Sequence, residues 1–366
     1  EECWGFIINE LKELAPDLPL KWDSDNSGRA TQKAAYGLLS RVALYAEKWD
    51  VAAQAARDCA TAEGNLDLSK NGYAKIFELG INSPEVLFAV EFKSSVIDHA
   101  YDAYVRPSGD TKELGKQVYS GFVPTSELVD SYEMAGDGGN FSWEKHGKDP
   151  YANREPRFYA TILYNGADWM GRKIESFVGG KDGYKAYENA GAAGTTVTGY
   201  YLRKYLIDGD KTWVTSGSGQ DWIVLRYAEV LLNKAEALAM ENWNKNSAEA
   251  LQALNDVRAR VGLPARATAD KETFLEYVRH ERKVELAGEG FRYWDLRRWR
   301  LAEKVIDGQN VHGVKISKQS DGSFTYEQVD ADGGHKRIFY DRYYRFAIPL
   351  SERSNNSLCT NNDGWI

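Results

Sequence analysis

Arg279-His280-Glu281-Arg282-Lys283-Val284-Glu285-Leu286-Ala287-Gly288-Glu289-Gly290-Phe291-Arg292-Tyr293-Trp294-Asp295-Leu296-Arg297-Arg298-Trp299 carries more structural information than any other part of the sequence. It reads as one helix running into a tight turn at Gly290 and then a short second helix. At about 100° per residue, Phe274, Val278, Glu281 and Glu285 share one face. Two carboxylates on an apolar stripe are costly to bury unless cations meet them, and Arg282, Arg292, Arg297 and Arg298 lie close by in sequence. Two readings are physically available: a solvated helix laced with salt bridges, or a buried Glu/Arg network locking the turn around Trp294 and Trp299. Under both, the segment is scaffold, for it holds no nucleophile and no metal-ligating cluster.

Outward from it, helical patterns recur. Trp4, Ile7, Ile8, Leu11 and Leu14 repeat at three and four over 2–14, and Pro16 and Pro19 follow. Residues 30–62 read as two Ala-rich helices joined at Glu47-Lys48-Trp49, with Ala52, Ala55, Ala56 and Ala60 allowing close approach. That pair fits a tetratricopeptide-type unit of about 34 residues. A second pair spans 225–261, with Leu225 to Leu238 and Ala248 to Val261 as its helices and Gly262-Leu263-Pro264 as its stop. Residues 270–300 supply a third. Such pairs cannot bury their faces alone, so the expectation is one mainly helical layer. Asp23 to Gly28 resembles half a calcium loop, but position twelve would be Ala34, so an Asx-rich turn is the better reading. Between the pairs, 64–224 is rich in Gly, Asn, Asp, Tyr and Trp. Val86 to Phe92 reads as a strand there, as does the alternation Phe158, Ala160, Ile162, Tyr164.

Composition narrows the function classes. A chain of 366 residues can bury a substantial core, and a net charge of −8 offers no field for nucleic acid or anionic membrane. No run approaches the roughly 18 apolar residues of a membrane span. Cys3, Cys59 and Cys359 have no CxxC spacing, and the five histidines have no metal-ligand spacing, so neither a metal nor a cofactor is expected. No GxSxG or phosphate-cradling GxxxxGK[ST] occurs. Nothing singles out a carboxylate pair among the 54 acidic residues, so no enzyme activity is expected, with a glycoside hydrolase as the enzymatic alternative. The 11 Trp and 22 Tyr exceed what a core needs, since each polar tip wants a partner when buried. Some of these rings are expected on a surface that binds flat apolar faces.

Three segments together resemble the SusD/RagB nutrient-binding proteins: LRYAEVLLNKAEAL at 225–238, RHERKVELAGEGFRYWDLRRW at 279–299 and AIPLSERSNNSLCTNNDGW at 347–365. GRATQKAAYGLLSRVALYAEKWDVAAQAA at 28–56, REPRFYATILYNG at 154–166 and YYLRKY at 200–205 agree in order and spacing. The resemblance implies a mainly α, SusD-like fold: tetratricopeptide-like pairs in a right-handed layer, with long loop-rich insertions and a few short strands. It implies a single domain over 1–366, with the layer at 30–62, 225–261 and 270–300 and a ligand-binding face in 64–224. It also implies a lipoprotein of the outer membrane surface in Bacteroidota, binding glycan, or less often peptide or another nutrient. Its implied partner is a SusC-like TonB-dependent transporter. The chain opens mid-pattern at Cys3-Trp4-Gly5, and Cys3 sits inside an amphipathic helix, unlike a lipid-bearing Cys, so N-terminal sequence is expected to be missing. The ending has Asn-Asn-Asp-Gly where relatives more often show Gln-Asn-Pro-Gly, a small change in a turn.

Pyranose C–H faces stack on Trp and Tyr while hydroxyls seek planar polar groups. Two loop segments combine both, 140–154 and 164–172. Trp169, flanked by Gly166 and Gly171, is the first choice, as a ring at a loop tip. Trp143, Tyr151, Tyr164 and Arg154 complete the expected ligand-binding set, with Tyr184, Tyr187 and Trp213 weaker. Trp4, Trp49, Trp243, Trp294 and Trp299 are expected in the core.

Overall fold

Apolar spacing and small residues build the helical layer. In the computed structural model, which describes residues 1–189 and 195–365, helix α1 (Glu2–Leu14) buries Ile8 and Leu11 against α2 (Gln32–Tyr45). α2 packs on α3 (Trp49–Thr61), whose Ala52, Ala53, Ala55 and Ala56 are almost wholly buried. The alanines let the backbones come close, and β-branched residues there would hold them apart. The link between α1 and α2 is the expected Asx turn: the Asp23 carboxylate accepts the Asn26 amide at 3.0 Å. Helix α4 (Gly72–Leu79) then leads to β1 (Val86–Val90).

A segment expected as strand is mostly helix. Pro156 at its first turn fixes the backbone for α6 (Pro156–Thr161), α5 being Tyr101–Val105, and only Ile162–Leu163 (β2) is extended. The alternation of Phe158 and Ala160 is therefore a coincidence of helical positions. β2 pairs with β5 (Tyr201–Leu202), and between them Asp168–Trp169 (β3) and Arg172–Lys173 (β4) form a hairpin. β1 pairs antiparallel with β6 (Trp222–Arg226), an irregular register running from Val86↔Arg226 to Val90↔Trp222. Leu225 and Arg226, read as the start of a helix, thus end a strand instead.

α7 (Tyr227–Arg260) follows at once and is broken at Asn242, where φ is −163° and ψ is 94°. The Asn242 side chain accepts the Lys245 amide and starts the second half, so the two expected helices are both present. α8 (Lys271–Glu285) packs on α7, with its Asp270 cap accepting the Thr273 amide at 2.8 Å. Gly290, at φ +86°, turns the chain into α9 (Arg292–Arg298). A long hairpin, His312–Lys318 (β7) with Phe324–Asp330 (β8), precedes the C-terminal loops. The main core joins α1, α2, α3, α7 and α8. Trp4 and Trp294 depart from expectation, at 40% and 45% exposed. Among the described residues no helix is long and apolar enough to cross a membrane.

Glu281 and Glu285 of the 279–299 stretch are buried, and their cations come from elsewhere. Glu285 accepts from Arg226 at 2.6 Å, from Arg157 at 3.0 Å and from Arg260. Glu281 meets Arg157 and Arg258, Glu85 meets Arg226 and Arg260, and Glu289 meets Arg226 and Lys204. Glu155 on Arg157, and Glu133 on Arg258 and Arg266, extend one continuous network. Arg282 instead pairs with Asp295, and Arg298 with Asp295 and Glu236. The network ties β1, β6, α6, α7 and α8 together, so it holds the inserted region on the helical layer.

Candidate functional site

Of the expected site residues, the structure turns Trp169 inward. The turn foreseen between Gly166 and Gly171 exists, with Gly171 at φ +73°, but the hairpin folds back and leaves the indole fully buried. Its Nε1 donates to Asp110 at 3.0 Å, and the Arg106 guanidinium lies 5.2 Å from the ring and 5.1 Å from Trp213. Trp169 is therefore an internal plug, not a ring at a loop tip. Tyr151 is also buried, 4.7 Å from the half-buried Tyr164 and 5.7 Å from Tyr326. Trp143, half-buried, donates to Asp130 at 2.9 Å and lies 6.1 Å from Tyr326. These three share one cluster, yet its rings face one another. Arg154 is buried between Phe141 and Phe158 and donates to the carbonyls of Val129, Tyr132 and Pro150.

Open aromatic surface lies elsewhere. Phe92, Tyr101, Tyr104, Phe122 and Trp222 line a cleft of about 330 Å³. Trp222 is 39% exposed, Tyr104 49% and Phe122 63%. β6 starts at Trp222, and the pleat that buries Ile223 and Leu225 sends the indole outward. Behind it, Tyr205 stacks at 5.1 Å and 14°, while Tyr101 meets it edge-on at 6.0 Å. The Tyr101 hydroxyl donates to the Lys204 carbonyl at 2.9 Å, which holds that ring, while Tyr205 is held by its burial. Tyr104, on α5, stacks on Tyr119 at 5.1 Å, and the Tyr119 and Gly121 amides donate back to Ala103 and Tyr104. His99 fixes the rim: its Nδ1 accepts the Tyr101 amide, which leaves Nε2 to donate to the Gln220 carbonyl.

Phe92 also borders a polar cavity of about 540 Å³ that includes Ser94, Gln220 and Asp221. The amide nitrogen and oxygen of Gln220 are both buried and lack partners among the described residues. An unpaired buried amide is costly, and a ligand hydroxyl can both donate to it and accept from it. Both Asp221 oxygens are occupied by the Ile81 and Phe92 amides. The arrangement thus sets flat rings beside a free planar polar group. Sequence reading missed it because Tyr104, Phe122 and Trp222 lie far apart in the chain. The available signal was Trp222 opening a strand whose next residue faces the core.

A helical-repeat scaffold bearing a loop-built aromatic cleft defines the class. The SusD family model matches residues 84–365, and the chain belongs to that family. It is 25% identical over 357 residues to a SusD-like protein of Bacteroides ovatus, covering 91% of this chain and 58% of that relative's length. A SusD-like protein from Bacteroides fragilis matches with a TM-score of 0.83 and 27% identity, over 100% of this chain and 71% of the other. A SusD-like carbohydrate binding protein from the same species matches with a TM-score of 0.80 and 26% identity, over 97% and 70%. These likenesses bear out the expected fold class.

Proposed function

We propose that the chain binds an oligo- or polysaccharide at the outer cell surface, in the cleft around Trp222, and delivers it to a partner TonB-dependent transporter. The exposed Trp222 indole, braced by Tyr205 and Tyr101, is the observation that carries this reading. A braced ring pays little entropy on stacking against a sugar face, and the Gln220 amide supplies hydroxyl recognition alongside. Similarity to the SusD-like carbohydrate binding protein of Bacteroides fragilis supports the ligand class. Anchoring in the outer membrane by a lipid and docking on a SusC-like barrel rest on the family resemblance.

Affinity electrophoresis against a panel of polysaccharides tests the binding claim, with retardation by at least one glycan expected. Migration unchanged by every glycan would sink it. A reducing-end assay on the retarding glycan separates binder from hydrolase, and no new ends are expected. Co-purification of an outer-membrane barrel with the protein from its native envelope tests the transporter partner.

A further inference from the structure

A second cavity, of about 660 Å³, lies among α4, α6, residues 203–206 and the C-terminal end of α7, and the aromatic cleft does not use it. That size suits a sugar-sized ligand. Its wall carries Lys75, Arg154, Arg203, Lys204 and Arg260 against one carboxylate, Glu78. The excess is notable in a chain of net charge −8.

These cations fall into two groups. Arg260 is held by Glu85 and Glu285, and Lys204 by Glu289 at 2.6 Å. The other three are not neutralised in this way. Among the described residues, Arg154, 2% exposed, donates to carbonyls alone and has an Nε with no acceptor. Arg203 has its nearest carboxylate, Asp208, at 3.9 Å. Lys75 is exposed, with no ion pair among the described residues. Asp130 and Glu155 act on the Arg154 guanidinium without an ion pair among the described residues, so the cost of its burial is only partly offset, and an anion entering the cavity adds to that offset. The first turn of α4, residues 72–75, borders the same space and adds the positive end of its dipole. Tyr73, Tyr159 and Tyr205 supply ring surface in the wall.

We propose that this cavity is a separate binding site for an acidic sugar, one bearing a carboxylate or a sulfate ester. Arg203 and Lys75 are its accessible charge contacts, and Arg154 is the buried positive charge of its wall. Tyr205 borders this cavity and stacks on Trp222 of the cleft, so the two sites adjoin through one ring.

Titration calorimetry at low salt tests it with trigalacturonate, its fully methyl-esterified form and a sulfated galactose trisaccharide. At least one charged trisaccharide should bind, and whichever binds more tightly names the acidic group. The esterified form should bind about tenfold or more weaker than the acid if the carboxylate is the group recognised. Lys75→Gln with Arg203→Gln should cost the charged sugar about tenfold or more while the circular dichroism spectrum stays unchanged. Trp222→Ala should leave this binding intact, which separates the site from the aromatic cleft. Failure of both charged sugars to bind at millimolar concentration would overturn the proposal. So would a double variant that binds like the parent, or loss of charged-sugar binding in Trp222→Ala.

Discussion

Replacing Glu285 by Ala probes the scaffold at its electrostatic centre. The carboxylate is wholly buried and accepts from Arg157, Arg226 and Arg260. The network around it holds six carboxylates, Glu85, Glu133, Glu155, Glu281, Glu285 and Glu289. Against them stand six cations, Arg157, Lys204, Arg226, Arg258, Arg260 and Arg266. Removing one carboxylate leaves an unmatched buried positive charge, which costs about 3–5 kcal/mol. With about 2 cal/mol/K of unfolding entropy per residue, 366 residues give about 0.8 kcal/mol/K. The melting temperature should therefore fall by roughly 4–6 °C. Differential scanning calorimetry reads this directly, with Glu276→Ala as the control. Glu276 pairs with Arg279 at the surface, its side chain 69% exposed, and should shift stability by less than about 1 kcal/mol. If Glu285→Ala melts within about 1 °C of the parent, the network is not what holds the inserted region to the helical layer.

The same network sets an acid limit. Burial alone would raise the Glu285 carboxyl, but Arg260, Arg226 and Arg157 hold it well below its ordinary value of 4.5, and Glu289 is lowered by Arg226 and Lys204. Because the folded values are depressed, this stabilisation is complete above about pH 4.5 and is lost as the pH falls through them. Melting temperatures from pH 7 downward should hold this contribution to about pH 5 and then decline, and a network contribution already lost near pH 6 would count against the assignment. Trp169→Phe should cost about 1–2 kcal/mol, from the lost hydrogen bond to the Asp110 carboxylate, which keeps Arg106 and Arg172, and leave glycan affinity unchanged at a temperature where the fold is intact. A selective loss of affinity there would return Trp169 to the ligand. Asn242→Ala should destabilise by about 1 kcal/mol through the lost cap of the second half of α7, read by urea unfolding.

The helical layer was legible because its signals are local. Trp4 to Leu14 at three and four, the small residues of α3 and the Gly262-Leu263-Pro264 stop each act within a few turns. Element ends were less legible where a distant strand competed. Leu225 and Arg226 have helical company in sequence, yet they pair with Phe88 and Val86 and end a strand. Glu281 and Glu285 were visible as buried-face carboxylates, but Arg157, Arg226, Arg258 and Arg260 sit on elements the local pattern could not bring near. The site was hardest. Trp169 was read from its glycines, which do mark a turn, though they say nothing of which way the ring packs. The cleft is assembled by pairing β6 with β1 and by folding 119–121 back on α5, and no window of sequence contains it.

The central claim is that Trp222 is a stacking platform for a sugar. Titration calorimetry of Trp222→Ala against a glycan that the parent retains tests this most directly. The expected loss is about 1–3 kcal/mol in binding, with the circular dichroism spectrum unchanged at the temperature of the titration. Affinity equal to the parent's would contradict it.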